Sequence, residues 1–142
     1  LHAICSGSLI YEAQQSSDIT YRVYDYHRKD KNGNERQLHV QQSIDVTNVP
    51  ADLATNKLFT NSHLDHGSKT RYVESEFFTV DCYRMDGENT ITNDKPFQLV
   101  SILEGEGTLE GMEVKKGDHF IICSDQEEVT YDGKMTVMMT TL

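Results

Sequence analysis

Apolar and polar positions alternate along most of this chain with a period close to two. Over residues 19–26, "ITYRVYDY" sets Ile19, Tyr21, Val23 and Asp25 on one side and Thr20, Arg22, Tyr24 and Tyr26 on the other. That is the pattern of a half-buried strand, in which successive side chains leave opposite faces of the backbone. "SLIYEAQ", "ESEFFTVDCYRM", "FQLVSIL", "TLEGMEV", "HFIICS", "EEVTYDG" and "KMTVMMTTL" are further short runs rich in β-branched and aromatic residues. Turn signals separate them, as in sandwiches and barrels. No long segment keeps a helical period, so the chain is read as all-β.

The punctuation divides the chain. Asn32-Gly33 supplies the left-handed backbone of a tight hairpin. Gly105, Gly107 and Gly111 in "LEGEGTLEG" permit sharp reversals, and Gly117-Asp118 adds another turn. Residues 46–70 are polar, contain a proline and lose the alternation, which predicts a linker between two β units. The expected division is 1–45, 46–70 and 71–142.

Composition narrows the partners. A length of 142 residues suits one domain. The net charge of −10, with 13 dispersed basic residues, makes no basic stripe and argues against nucleic acid and anionic membranes. Three cysteines, Cys5, Cys82 and Cys123, form no paired spacing and are read as free core thiols of a reducing, cytoplasmic compartment. The longest apolar runs fall far short of the roughly 20 residues that a spanning helix needs.

In the second half, "LVSILEGEGTLEGMEVKKGDHFIICS" runs from an apolar strand through a Gly-rich turn and a short hairpin into another apolar strand. This stretch resembles the cupin family. The resemblance implies a double-stranded β-helix, or jelly-roll barrel. Metal-binding cupins carry a His-x-His pair with a later Glu and His. His119 is the sole histidine between Phe97 and Leu142, so a metal-free barrel filled by side chains is expected, with His119 at a turn or on the surface.

The opening stretch carries a more specific likeness. "HAICSGSLIYEAQQSSDITYRVYDYHR", with "KNGNERQLHV" after it, resembles the active-site segment of the shorter, bacterial form of type I mannose-6-phosphate isomerases. The resemblance implies that the chain is the C-terminal part of such an enzyme, starting in mid-strand. Residues 1–45 are then leading strands left over from an upstream catalytic cupin domain, and 71–142 a cupin barrel without metal ligands. It matches His2 to the family's fourth zinc ligand and Arg22 to its catalytic arginine. Glu12, Gln14, Ser16 and Asp18 fall in the same segment, with Glu12 a candidate proton shuttle. The family's other ligands, a Gln, a His and a Glu, have no counterpart here. The implied cofactor is one Zn²⁺ per full-length enzyme, absent from or weakly held by this chain alone. The implied substrate is a phosphorylated hexose, and strands exposed by truncation open a route to self-association.

Without that likeness these residues read differently. A terminal histidine is ordinarily frayed and exposed, a lone strand arginine lies on the surface with its stem packed, and "QQSSD" reads as a loop. His63 and His66, spaced i, i+3, are expected to be surface residues of the linker, and His27 and His39 to face solvent beside the Asn-Gly turn. Lys115 and Lys116 are read as a charged turn. The alternative function is a non-catalytic cupin module that binds a sugar phosphate or a protein partner.

Overall fold

The computed structural model describes residues 3–17, 19–50 and 59–142. The chain divides into two compact units, Leu1–Lys57 and Leu58–Leu142. The second unit holds eight antiparallel strands: β1 (Thr60–Leu64), β2 (Gly67–Glu74), β3 (Thr79–Asp86), β4 (Asn89–Thr92), β5 (Phe97–Leu109), β6 (Met112–Lys115), β7 (His119–Cys123) and β8 (Glu128–Thr141).

Two long strands organise this unit. β5 and β8 run side by side from Gln98↔Thr141 to Leu109↔Tyr131. The free edge of β5 pairs first with β7 and then with β6. The free edge of β8 pairs with β4 and then with β3, which continues the sheet through β2 to β1. Each long strand thus serves two sets of neighbours, and the sheet rolls up around one interior. A register shift between Ile102 and Glu104 marks the bulge in β5 that helps it turn.

Alternation fills that interior. Tyr83 and Met85 from β3, Val100 and Ile102 from β5, and Val129, Tyr131, Met135, Val137 and Met139 from β8 belong to one buried cluster. The same parity puts Asp81 on the face of Tyr83 and Met85. Asp81 meets Lys69 Nζ at 2.8 Å and Arg71 Nε at 2.8 Å, both from β2. Lys69 also sits 5.3 Å above the Tyr83 ring. A buried carboxylate at this row is tolerated because two cations neutralise it.

Several expected features are redrawn. "FQLVSIL" and "TLEGMEV" are not separate strands: β5 continues from the first into the second as far as Leu109. Gly105 and Gly107 lie inside β5, where a Cβ would stand 1.9 Å from the Lys134 carbonyl oxygen or 2.2 Å from that of Asp132. They allow close approach of two backbones rather than a reversal, which falls at Glu110 and Gly111 (φ 49° and 76°). Residues 46–70 are not wholly a linker, since β1 and the start of β2 form a hairpin there. β1 is almost entirely exposed, so nothing imposes an apolar face on it. Only Cys82 is a core thiol; Cys5 and Cys123 are exposed, and all three are free.

The first unit is built differently. Its described residues include a short helix, α1 (Val40–Asp45), and an isolated bridge between Lys29 and Glu35. No named strand occurs among its described residues, although residues 8–26 were expected to supply two. Alternation alone does not make a strand; a partner backbone must accept the ladder bonds. Among all described residues, no helix is long and apolar enough to cross a membrane.

Candidate active site

Residues 20–28 do not run straight. The chain bends at Val23 and then enters a turn at Tyr26 and His27, both in the left-handed region (φ 53° and 54°). The turn is closed by the amide of Arg28, which donates to the Asp25 carbonyl at 3.0 Å. Two successive left-handed non-glycine residues are costly, about 1–2 kcal/mol each. Edge-to-face packing of Tyr24 on Tyr26 (4.9 Å) and of His27 on Tyr24 (5.9 Å) supports the turn from the side.

The bend overturns the strand parity expected for this segment. Arg22 and Asp25 were placed on opposite faces, yet Arg22 Nε lies 3.8 Å from Asp25 Oδ1. Both line a cavity of about 620 Å³ with Tyr21, Tyr24, Tyr26 and Arg28. Arg22 is partly buried, with a quarter of its side chain exposed, and its Nη1 donates to the Gln37 carbonyl at 3.4 Å. Its backbone is held by His39, whose amide donates to the Arg22 carbonyl at 2.7 Å. The Arg22 amide in turn points at His39 Nδ1, 3.4 Å away. His39 therefore does not simply face solvent. His27 does, with the exposed Glu35 carboxylate beside it at 3.2 Å and its ring against Tyr24.

Asp25 is the buried charge of the site, only 9% exposed. Arg36 grips it with both arms of its guanidinium: Nε donates to Oδ2 at 2.6 Å and Nη2 donates to Oδ1. Such a planar fork is the strongest ordinary partner for a carboxylate. The Arg36 hydrogen bond holds the Asp25 carboxyl below its usual range against the opposing effect of burial, with Arg22 and Arg28 adding to it. The sequence does not mark Asp25 or Arg36 as site residues, and it marks His39 only as a solvent-facing histidine. Their positions depend on a bend and on contacts 11 to 17 residues away, which alternation does not encode.

The other predicted residues fall as follows. His2, the expected zinc ligand, and Asp18 lie outside the described residues. Glu12, Gln14 and Ser16 are exposed, and Glu12 is not among the residues lining the cavity around Arg22. His63 lies on exposed β1 and His66 in the turn after it. His119 starts β7, exposed, with Nδ1 2.9 Å from Ser101 Oγ. Lys115 ends β6, and its amide donates to Asp118 Oδ2 at 2.8 Å, as a charged turn requires. No group of three or more His, Cys, Asp and Glu side chains able to hold a metal occurs among the described residues. By themselves they do not make a zinc shell.

A rolled antiparallel sheet with a filled interior, preceded by an arginine-bearing segment, is a recognisable class. Residues 68–142 match the family model described as mannose-6-phosphate isomerase, cupin domain. The chain is 40% identical over 144 residues to mannose-6-phosphate isomerase of Streptococcus mutans, covering 97% of this chain and 44% of that protein. It is 38% identical over 137 residues to mannose-6-phosphate isomerase ManA of Bacillus subtilis, covering 94% of this chain and 43% of that one. The crystal structure of the mannose 6-phosphate isomerase from Bacillus subtilis superposes with a TM-score of 0.81 at 32% identity, over 89% of this chain and 41% of that one. A more distant structure, Streptomyces PAC13 (H42Q) with uridine, shares the fold alone (TM-score 0.51, 14% identity, 66% of this chain and 81% of that one).

This chain belongs to the mannose-6-phosphate isomerase family, and its second unit is the cupin fold that the sequence led us to expect. It spans less than half the length of these curated relatives.

Proposed function

We propose that this chain is the C-terminal part of a zinc-dependent, cytoplasmic mannose-6-phosphate isomerase, to which it brings Arg22 and a non-catalytic roll. The observation that carries this reading is the likeness of nearly the whole chain to relatives bearing that name. The segment around Arg22 falls within that span, which covers 94–97% of this chain. His2 would join ligands contributed by the rest of the enzyme. Zinc, when bound, supplies Lewis-acid polarisation of sugar oxygens.

What this chain's own residues do follows from charge. Isomerisation moves a proton between C1 and C2 of the sugar phosphate and leaves negative charge on an enediolate oxygen at the summit. A guanidinium remains protonated at any working pH. Arg22 is therefore suited to stabilise that oxygen and unsuited to remove the proton. Glu12, exposed and off the cavity, is given no role, and the base is assigned to the rest of the enzyme. The three free thiols agree with a reducing compartment.

The test is a coupled assay for conversion of mannose 6-phosphate to fructose 6-phosphate. The full-length protein carrying this sequence, loaded with zinc, is expected to turn over, and the 142-residue chain with added zinc to show no activity. Turnover by the chain alone would overturn the division of labour, and inactivity of the full-length protein would overturn the isomerase itself. Micromolar binding of mannose 6-phosphate by the inactive chain would favour a sugar-phosphate-binding module instead.

A further inference from the structure

Arg22 meets a design problem that the geometry around it answers. A cation meant for an incoming anion must be aimed, yet a carboxylate placed against it to aim it also cancels its charge. Here the carboxylate is Asp25, and its two oxygens are already engaged by the Arg36 fork. Arg22 stands back from the same carboxylate at 3.8 Å, an ion-pair distance beyond hydrogen-bond range. The Gln37 carbonyl, 3.4 Å from Nη1, is a second and neutral guide. His39 fixes the backbone of the same residue through its amide.

We infer that Asp25, locked by Arg36, is a positioning residue: it orients the Arg22 guanidinium toward the cavity while Arg36 keeps it from quenching that charge. This rests on the reading of Arg22 as the cation that stabilises the reacting oxygen. Four features support the assignment independently of the family. Asp25 is the most buried charged residue described in its unit. The Arg36 partner is recruited from 11 residues along the chain, across the Asn-Gly turn. Residues 36, 37 and 39 all touch residue 22 or 25, so one short stretch sets both the guanidinium and its counter-charge. The left-handed turn at Tyr26 and His27 directly after Asp25 is the kind of sparsely populated backbone that concentrates at functional sites.

The experiment is a double-mutant cycle in the zinc-loaded full-length protein with mannose 6-phosphate as substrate, reading kcat and KM separately. Asp25→Asn keeps the shape and removes the charge. It is expected to lower kcat about 10- to 100-fold, since misaiming a catalytic group by an ångström costs on that order, with KM changed less than about threefold. In the Arg22→Ala background the same substitution is expected to add less than about a twofold further loss, because Asp25 acts only through Arg22. Arg36→Lys keeps a positive charge but not the fork. It is expected to lower kcat about 5- to 20-fold by freeing Asp25 to draw Arg22 in, and again to add nothing once Arg22 is gone. It also serves if Asp25→Asn fails to fold.

Losses that multiply with that of Arg22→Ala would overturn the positioning role while leaving Arg22 as the catalytic cation. Unchanged kcat in both single variants would do the same. Full activity of Arg22→Ala itself would overturn the underlying reading, and this inference with it.

Discussion

At the scale of single residues, the protein handles buried charge by giving each carboxylate more than one cation. Asp81 has Lys69 and Arg71, and Asp25 has Arg36 and, farther off, Arg22. Burial alone pushes the Asp81 carboxyl up, but hydrogen bonds from Arg71 and Lys69 leave it below its ordinary value of 3.8. A depressed acid contributes stability that is whole above its unfolded value, near 4, and is lost as pH falls through the lower folded value. The midpoint of urea unfolding is therefore expected to drop below about pH 4, and Asp81→Asn to flatten that dependence. At neutral pH the same substitution strands two partly buried cations, a loss of about 3 kcal/mol, readable in the same titration. Of these pairs the sequence shows little. Lys69 and Asp81 face each other diagonally across β2 and β3, and residues 46–70 gave no sign that Lys69 belonged to a strand. Arg22 was legible only through the surrounding "QQSSDITYRVYDY"; its companions were hidden by the bend at Val23.

Elements were legible where burial imposes a pattern on them. β3, β7 and the two halves of β8 press apolar residues against an interior, with Val80–Tyr83 and Val137–Met139 buried on both faces, and the sequence reads as strand in each. The sequence does not mark β1, β2 or β4: β1 is exposed, β2 buries only Thr70, and β4 has only four residues. In the first unit the error ran the other way. Among the described residues an alternating run without a continuous ladder is irregular, since repeated backbone hydrogen bonds rather than side-chain periodicity complete a strand. β5 was divided in two because its glycines looked like turns. They are instead the points where β5 presses against β8: Gly105, at φ 77°, faces the Lys134 carbonyl. Gly105→Ala is accordingly expected to cost about 3 kcal/mol, from the left-handed backbone and the steric overlap together, and to lower the midpoint of thermal unfolding. Gly111→Ala, at a similar φ but with open space around it, is expected to cost only about 1 kcal/mol. Calorimetry on the pair separates conformational strain from collision, and equal losses would contradict the close-packed account of β5.

For the molecule as a whole, the two units carry different burdens. Leu58–Leu142 concentrates the buried apolar residues and the ladder. Leu1–Lys57 has few buried side chains among those described, but one is the Asp25 carboxylate beside Arg22. The all-β class was legible from period and turn signals alone; the roll came from the likeness to cupins, and the site was not legible from the residues themselves. Three polar contacts around Arg22 link residues far apart in sequence, and only the likeness to known isomerases marked that arginine out. The central claim is that Arg22 acts on the reacting sugar and not on the metal. The most direct measurement is kcat together with zinc content for Arg22→Ala in the full-length enzyme. We predict a loss in kcat of at least about 100-fold with zinc occupancy unchanged. A loss of zinc, with the remaining rate following metal content, would contradict it.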